Sequence, residues 1–166
     1  MATNVSEETT NAIQELVHDA FDTNAILDRV KTELNTTLAF SVTGNLVHML
    51  AHKYSLDIGD GVGDLIENKN EPVNYGNIPI HEEVYTSVED AMQKVLDVTI
   101  NYQNELNKGA KIAFDNMDIH IFEGLEKIIE LNDKYVDQAI LWMDIVKRYG
   151  SNPSLDVHMK DYDILQ

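Results

Sequence analysis

The chain carries three prolines, and their placement constrains its fold more than any other feature. Pro72 and Pro79 stand close together in the middle, and Pro153 stands near the C-terminus. Proline cannot donate a backbone hydrogen bond and clashes with the helical turn before it. The stretch before Pro72 and the stretch between Pro79 and Pro153 are therefore both free to be helical. Both carry apolar residues at the three-to-four spacing of an amphipathic helix. The fold class that follows is all-α, with its main interruption in the middle of the chain.

The second half gives the clearer pattern. Thr86-Ser87-Val88-Glu89 reads as a helix start, with hydroxyls before an acidic first turn. Val88, Ala91, Met92, Val95, Leu96 and Val98 then form a stripe, which Tyr102, Leu106, Ala110 and Ala113 carry on to about Asn116. A second helix runs from about Asp118 to Tyr149 on Ile121, Leu125, Ile128, Tyr135, Ala139, Trp142 and Val146. Lys147 and Arg148 suit the negative end of its dipole, and Gly150 stops it. The short polar junction between the two makes an antiparallel hairpin.

The first half is helical too. Ile13, Leu16, Val17, Ala20 and Phe21 form one stripe, and a second runs from Ile26 to Ala51. The break between them falls either at Asp22-Thr23-Asn24 or at Asn35-Thr36-Thr37. Gly59, Gly61 and Gly63 weaken a helix, so Asp57 to Asp64 reads as helix or as loop. Asn68 to His81 reads as a loop. Two helical hairpins joined by a long link make a four-helix bundle with a long crossover between the second and third helices. The bundle covers residues 1–150, and residues 151–166 form a loosely held tail.

Charge narrows the partners. Against 12 Lys plus Arg stand 29 Asp plus Glu, a formal charge of −17. Phosphate recognition needs clustered basic residues, and the first basic side chain is Arg29. Nucleic acid is therefore excluded as a partner, and so are anionic membranes. Metal cations are favoured. No run approaches the length of a membrane span, and the N-terminus lacks a basic, apolar leader, so the expected location is the cytoplasm. Without cysteine there is no thiolate ligand or nucleophile. Neither G-x-S-x-G nor a phosphate loop occurs.

Several residues could carry metal chemistry. His48 and His52 lie four apart and share one helix face. Asp60 and Asp64 have the same relation if their segment is helical, and Asp57 precedes Asp60 by three. The bland alternatives are two half-buried histidines and a solvated acidic turn. The same stretch fails as an EF-hand, because its third and fifth positions are Gly59 and Gly61 and its sixth is Val62. Glu33 lies on a mostly apolar stretch, where a carboxylate is costly unless paired or metal-bound. It is either a ligand or a rim residue. Glu15 and His18 form either a metal pair or a surface pair. Glu123, Glu126 and Glu130 read as a solvated face, and His120 as a cap or surface residue. Trp142 and Met143 belong in the core or at a subunit contact.

Short stretches resemble the ferritin-like superfamily. Tyr85 to Leu96, YTSVEDAMQKVL, is similar to the start of its third helix, and Val146-Lys147-Arg148-Tyr149-Gly150 to the end of its fourth. Asp57-x-x-Asp60-x-x-x-Asp64 followed by Glu71-Pro72-Val73 looks like the second helix of the Dps-type mini-ferritins. The resemblance implies a homo-oligomeric shell that oxidises and stores iron, with a di-iron site as the cofactor. It also implies that His48 and His52 of one subunit could meet Asp57, Asp60 and Asp64 of another, with Glu33 as a first-half ligand. The site departs from the family pattern. Thr99 falls where the third helix usually carries a Glu ligand, and the only Glu-x-x-His is Glu15-x-x-His18, on the first helix. Two other readings stay open: a ferritin-like bundle without a working metal centre, serving as a structural or interaction module, and a small di-metal oxidoreductase that forms no shell.

Overall fold

The structure is a computed structural model describing residues 4–150 and 152–166. Helix α1 (Glu7–Asn35) begins at Ser6, whose Oγ accepts the Thr9 amide at 3.1 Å. That hydroxyl also donates to Asp118 at 2.8 Å, tying the start of the first helix to the start of the last. Helix α2 (Ser41–Lys53), a π-helical segment (Tyr54–Gly59) and α3 (Asp60–Glu67) make one continuous rod. Helices α4 (Val88–Asp115) and α5 (Ile119–Tyr149) complete the four-helix bundle. A short α6 (Pro153–Asp156) and a 3-10 turn (Met159–Tyr162) follow.

The first break falls at the later of the two expected places. Leu38 donates its amide to Glu33 at 3.0 Å and Phe40 to Leu34 at 2.7 Å, closing the end of α1. Asp22-Thr23-Asn24 stays helical, with Thr23 buried in the core and the Asp22 carboxylate bonded to His81 of the crossover. The second hairpin lies within two residues of its expected limits. Ser87 Oγ accepts the Asp90 amide at 3.0 Å, and Gly150 ends α5 at φ +65°, a conformation that favours glycine. The glycine-rich stretch is helical. Gly59 is needed for close approach, since a Cβ there would lie 2.8 Å from the Phe21 ring on α1.

The four rods bury one core, in which Trp142, Tyr54, Tyr135, Ile13, Leu27 and Leu34 are among the largest enclosed side chains. Each such burial contributes about 1.5–3 kcal/mol before entropy is counted. The crossover, residues 68–87, returns parallel to α1. Gln14 donates to the Pro72 carbonyl and accepts the Asn74 amide, both at 2.7 Å. His18 bonds the Asn77 carbonyl at 2.9 Å, His81 bonds Asp22 at 2.6 Å, and Arg29 donates to the Glu83 carbonyl at 2.9 Å.

The tail corrects an expectation, because it is docked rather than loose. Asp156 is buried and accepts the Val42 and Thr43 amides at 3.0 and 2.8 Å, and the Thr43 hydroxyl at 2.7 Å. A carboxylate at a helix start meets unpaired amides and the positive end of the dipole, and here it reaches the start of α2 from more than a hundred residues away. Gln138 secures the end of the chain by donating to the Tyr162 carbonyl and accepting the Ile164 amide. Among the described residues, no helix is long and apolar enough to cross a membrane.

Candidate functional site

All four rods contribute to a polar network at the bundle centre. Tyr54 donates its hydroxyl to Asn132 Oδ1 at 2.5 Å. The Asn132 amide donates to the Thr99 carbonyl at 3.2 Å and to Gln103 Oε1 at 2.7 Å. Tyr102 donates to the Leu16 carbonyl of α1 at 2.9 Å. The Tyr54 ring meets those of Tyr102 and Tyr135 edge-on, at centroid separations of 5.5 and 5.4 Å. Tyr54, Asn132 and Thr99 have no solvent exposure. Burial pushes Tyr54, Tyr102 and Tyr135 well above the usual phenol range, so they stay protonated at neutral pH.

This donor set does not fit a di-iron centre. Iron in a helical bundle is held by converging carboxylates with one or two imidazoles. Here the centre offers phenols, amides and a threonine whose hydroxyl donates to the Leu96 carbonyl at 2.8 Å. Thr99 does lie in the core, where the resemblance places the missing Glu. Tyr102 and Tyr135 lie on the apolar stripes of α4 and α5, and the spacing alone does not distinguish them from other core residues. The available signal was Asn132, a polar residue four positions after Ile128 on the apolar face.

The histidines and the acids lie apart. His48 faces α1, with Nδ1 2.9 Å from Asp28 Oδ1, and its Nε2 is 3.0 Å from His52 Nε2. Asp57 sits beyond the start of the π-helical segment and faces α5, its Oδ2 3.4 Å from the Tyr135 hydroxyl. Asp60 and Asp64 share one face of α3 and are exposed. Within one chain the structure does not join His48 and His52 to Asp57, Asp60 and Asp64. Among the described residues, no three His, Asp or Glu side chains converge as a metal site.

Glu33 is neither a rim residue nor part of such a cluster. It is 5% exposed and pairs with Arg29 Nη2 at 2.8 Å, one turn earlier on the same helix. Its other oxygen has no hydrogen-bond partner. Nearby Tyr85 is also buried, which pushes its phenol up to about 12. Glu15 is exposed, while His18 clamps the crossover. The Asn77 carbonyl that bonds the His18 ring raises its pKa. Glu123, Glu126 and Glu130 are exposed, as is His120. Trp142 and Met143 are core residues.

Four packed helical rods, with a long crossover between the second and third that runs beside the first, make a ferritin-like fold. The chain is similar over its whole length to two crystal structures of a novel open pore ferritin from the hyperthermophilic archaeon Archaeoglobus fulgidus. The TM-score is 0.89, over 98% of this chain and 100% of that one, at 11% identity. No protein-family model matches the sequence. No curated protein matches it either.

Proposed function

We propose that this chain is the subunit of a homo-oligomeric, ferritin-type shell that takes up iron as cargo without oxidising it inside the bundle. The observation that carries this reading is a pair of exposed apolar side chains on the crossover. Ile80 and Val84 are 86% and 71% exposed on a segment that is otherwise tightly pinned to α1. Exposed apolar side chains on an ordered segment suit burial against a second copy. The full-length likeness to a ferritin supports the assembly, and 29 acidic residues against 12 basic ones supply attraction for cations. The exposed pair Asp60 and Asp64, with Asp57 before it, is the first contact assigned to ferrous iron.

A second reading is a ferritin-like bundle that serves as a structural or interaction module. The neutral interior network favours it, because that network supplies no anionic ligand.

Light scattering on the eluting protein, elemental analysis and ferrous iron in air separate the two. The shell reading expects a mass of many subunits with iron retained after gel filtration. A large assembly that retains no iron above the buffer level supports the module reading. A monomer removes the shell. Retention unchanged in a D60A/D64A variant removes those two acids from the iron path.

A further inference from the structure

The outer side of the α1–α2 hairpin carries a polar cluster that the cargo reading does not use. His48 and His52 stand one turn apart on α2, so their rings are neighbours on its surface. The two Nε2 atoms face each other at 3.0 Å. The ring planes meet at 70° and so do not stack face to face. His48 turns its other nitrogen to Asp28 on α1, at 2.9 Å. An ionised carboxylate can only accept, so Asp28 keeps the His48 proton on Nδ1 and leaves a lone pair on Nε2. A carboxylate behind an imidazole is the usual way a metal-binding histidine is oriented and made more basic.

We propose that His48 and His52 chelate one divalent late transition-metal ion through their Nε2 atoms, with Asp28 as the positioning residue behind His48. Two imidazole nitrogens that share one ion at about 2.05 Å lie about 2.9–3.3 Å apart, so the observed 3.0 Å admits a shared ion with little movement of either ring. Affinity of nitrogen sites for first-row divalent ions rises along the series to copper(II), so copper(II) is expected to bind tightest. Water can complete the coordination, because the His48 side chain is 37% exposed and His52 is exposed too.

The protons balance. Without metal, His52 donates its Nε2 proton to the His48 Nε2 lone pair. To bind metal, His52 moves that proton to its own Nδ1 by exchange with water, leaving both imidazoles neutral and both Nε2 lone pairs on the ion. The site needs no residue of the bundle centre and no acid of α3, so it stands whether or not iron is the cargo.

The test titrates the full-length protein with copper(II), nickel(II) and zinc(II) chlorides against a chromophoric chelator, and records the copper(II) electron paramagnetic resonance spectrum. One ion per chain is expected, with copper tightest and two imidazole nitrogens coupled to it. H48Q and H52Q each weaken copper binding at least tenfold. D28N, which keeps both ligands, weakens it roughly tenfold. Equal affinity in the wild type and the H48Q/H52Q double variant overturns the proposal. So does loss in H48Q with none in H52Q, which would mean a single-histidine contact. Both ligands lie on the surface, and circular dichroism checks the fold of each variant. Oligomeric mass and iron retention stay at the wild-type level in the double variant, so failure of the chelate and failure of the shell are read separately.

Discussion

The bundle centre and the outer face of the first hairpin are both polar, and they are built on opposite terms. The centre is dry and neutral. Its members are phenols, amides and a hydroxyl, and the Asn132 side chain finds partners on two other helices. The outer face is wet and charged, with His48, His52 and Asp28 all partly or fully exposed. A neutral group out of water needs only hydrogen bonds, whereas a charge there also needs a counter-ion. The contrast explains how a chain of charge −17 keeps a stable core: its acids stay at the surface, and the few that are buried find partners. Asp156 meets helix amides and Glu33 meets Arg29.

The largest test of this contrast places a charge in the centre. N132D removes two donors and adds an anion, and should destabilise the fold by about 3–5 kcal/mol in urea unfolding at pH 7. N132L leaves the Tyr54 hydroxyl without an acceptor and should cost about 2–3 kcal/mol. Adding Y54F to it should recover part of that loss, because both partners are then removed together. A fully stable N132D would show that the interior tolerates charge, and the contrast would collapse.

Arg29 gives a smaller effect at the boundary between the two regions. R29A leaves the buried Glu33 carboxylate uncompensated, at a cost of about 2–3 kcal/mol, reduced because Arg29 is partly exposed. Adding E33L should restore most of it. If R29A alone is neutral by the same unfolding measurement, the pair adds nothing to stability.

The smallest effect concerns the strap between the crossover and α1. Burial of His81 opposes its protonation, but bonds to the Asp22 and Glu83 carboxylates outweigh it and raise its pKa above 6.5. A raised folded pKa adds stability that is fully present below 6.5 and is lost as pH rises through the folded value. The melting temperature of the wild type should therefore exceed that of H81Q by more at pH 5.5 than at pH 8.5. A gap that widens on going alkaline would contradict the assignment.

Much of the fold was legible because its signals are local. Ser87 and Gly150 mark helix ends by their own chemistry, and the stripes between them have one period. The first break could not be chosen from sequence, because the Asp22 carboxylate is bonded to His81, nearly sixty residues later. Asp156 likewise caps a helix that begins far upstream, so the docked tail was hidden. The site was less legible than the fold. His48 and His52 stand out by spacing, but Asp28 joins them only through the packing of two helices. Thr99 stands out as a missing ligand, while the network that fills its neighbourhood draws on Tyr54, Tyr102 and Asn132 from three separate helical segments, and only their packing brings them together.

The π-helical segment has a consequence for the rod that contains it. A π turn holds about one more residue than an α turn, and one residue corresponds to about 100° of rotation. Residues on either side of Tyr54–Gly59 are therefore out of phase, and the rod works as two helices that share an axis but not a facing. The upstream half turns His48 toward α1, while Asp57, within the segment, is turned toward α5. A one-residue deletion there would act as a rephasing rather than a shortening. It would swing the whole of α3 about its axis and carry Asp60 and Asp64 to a different side of the bundle.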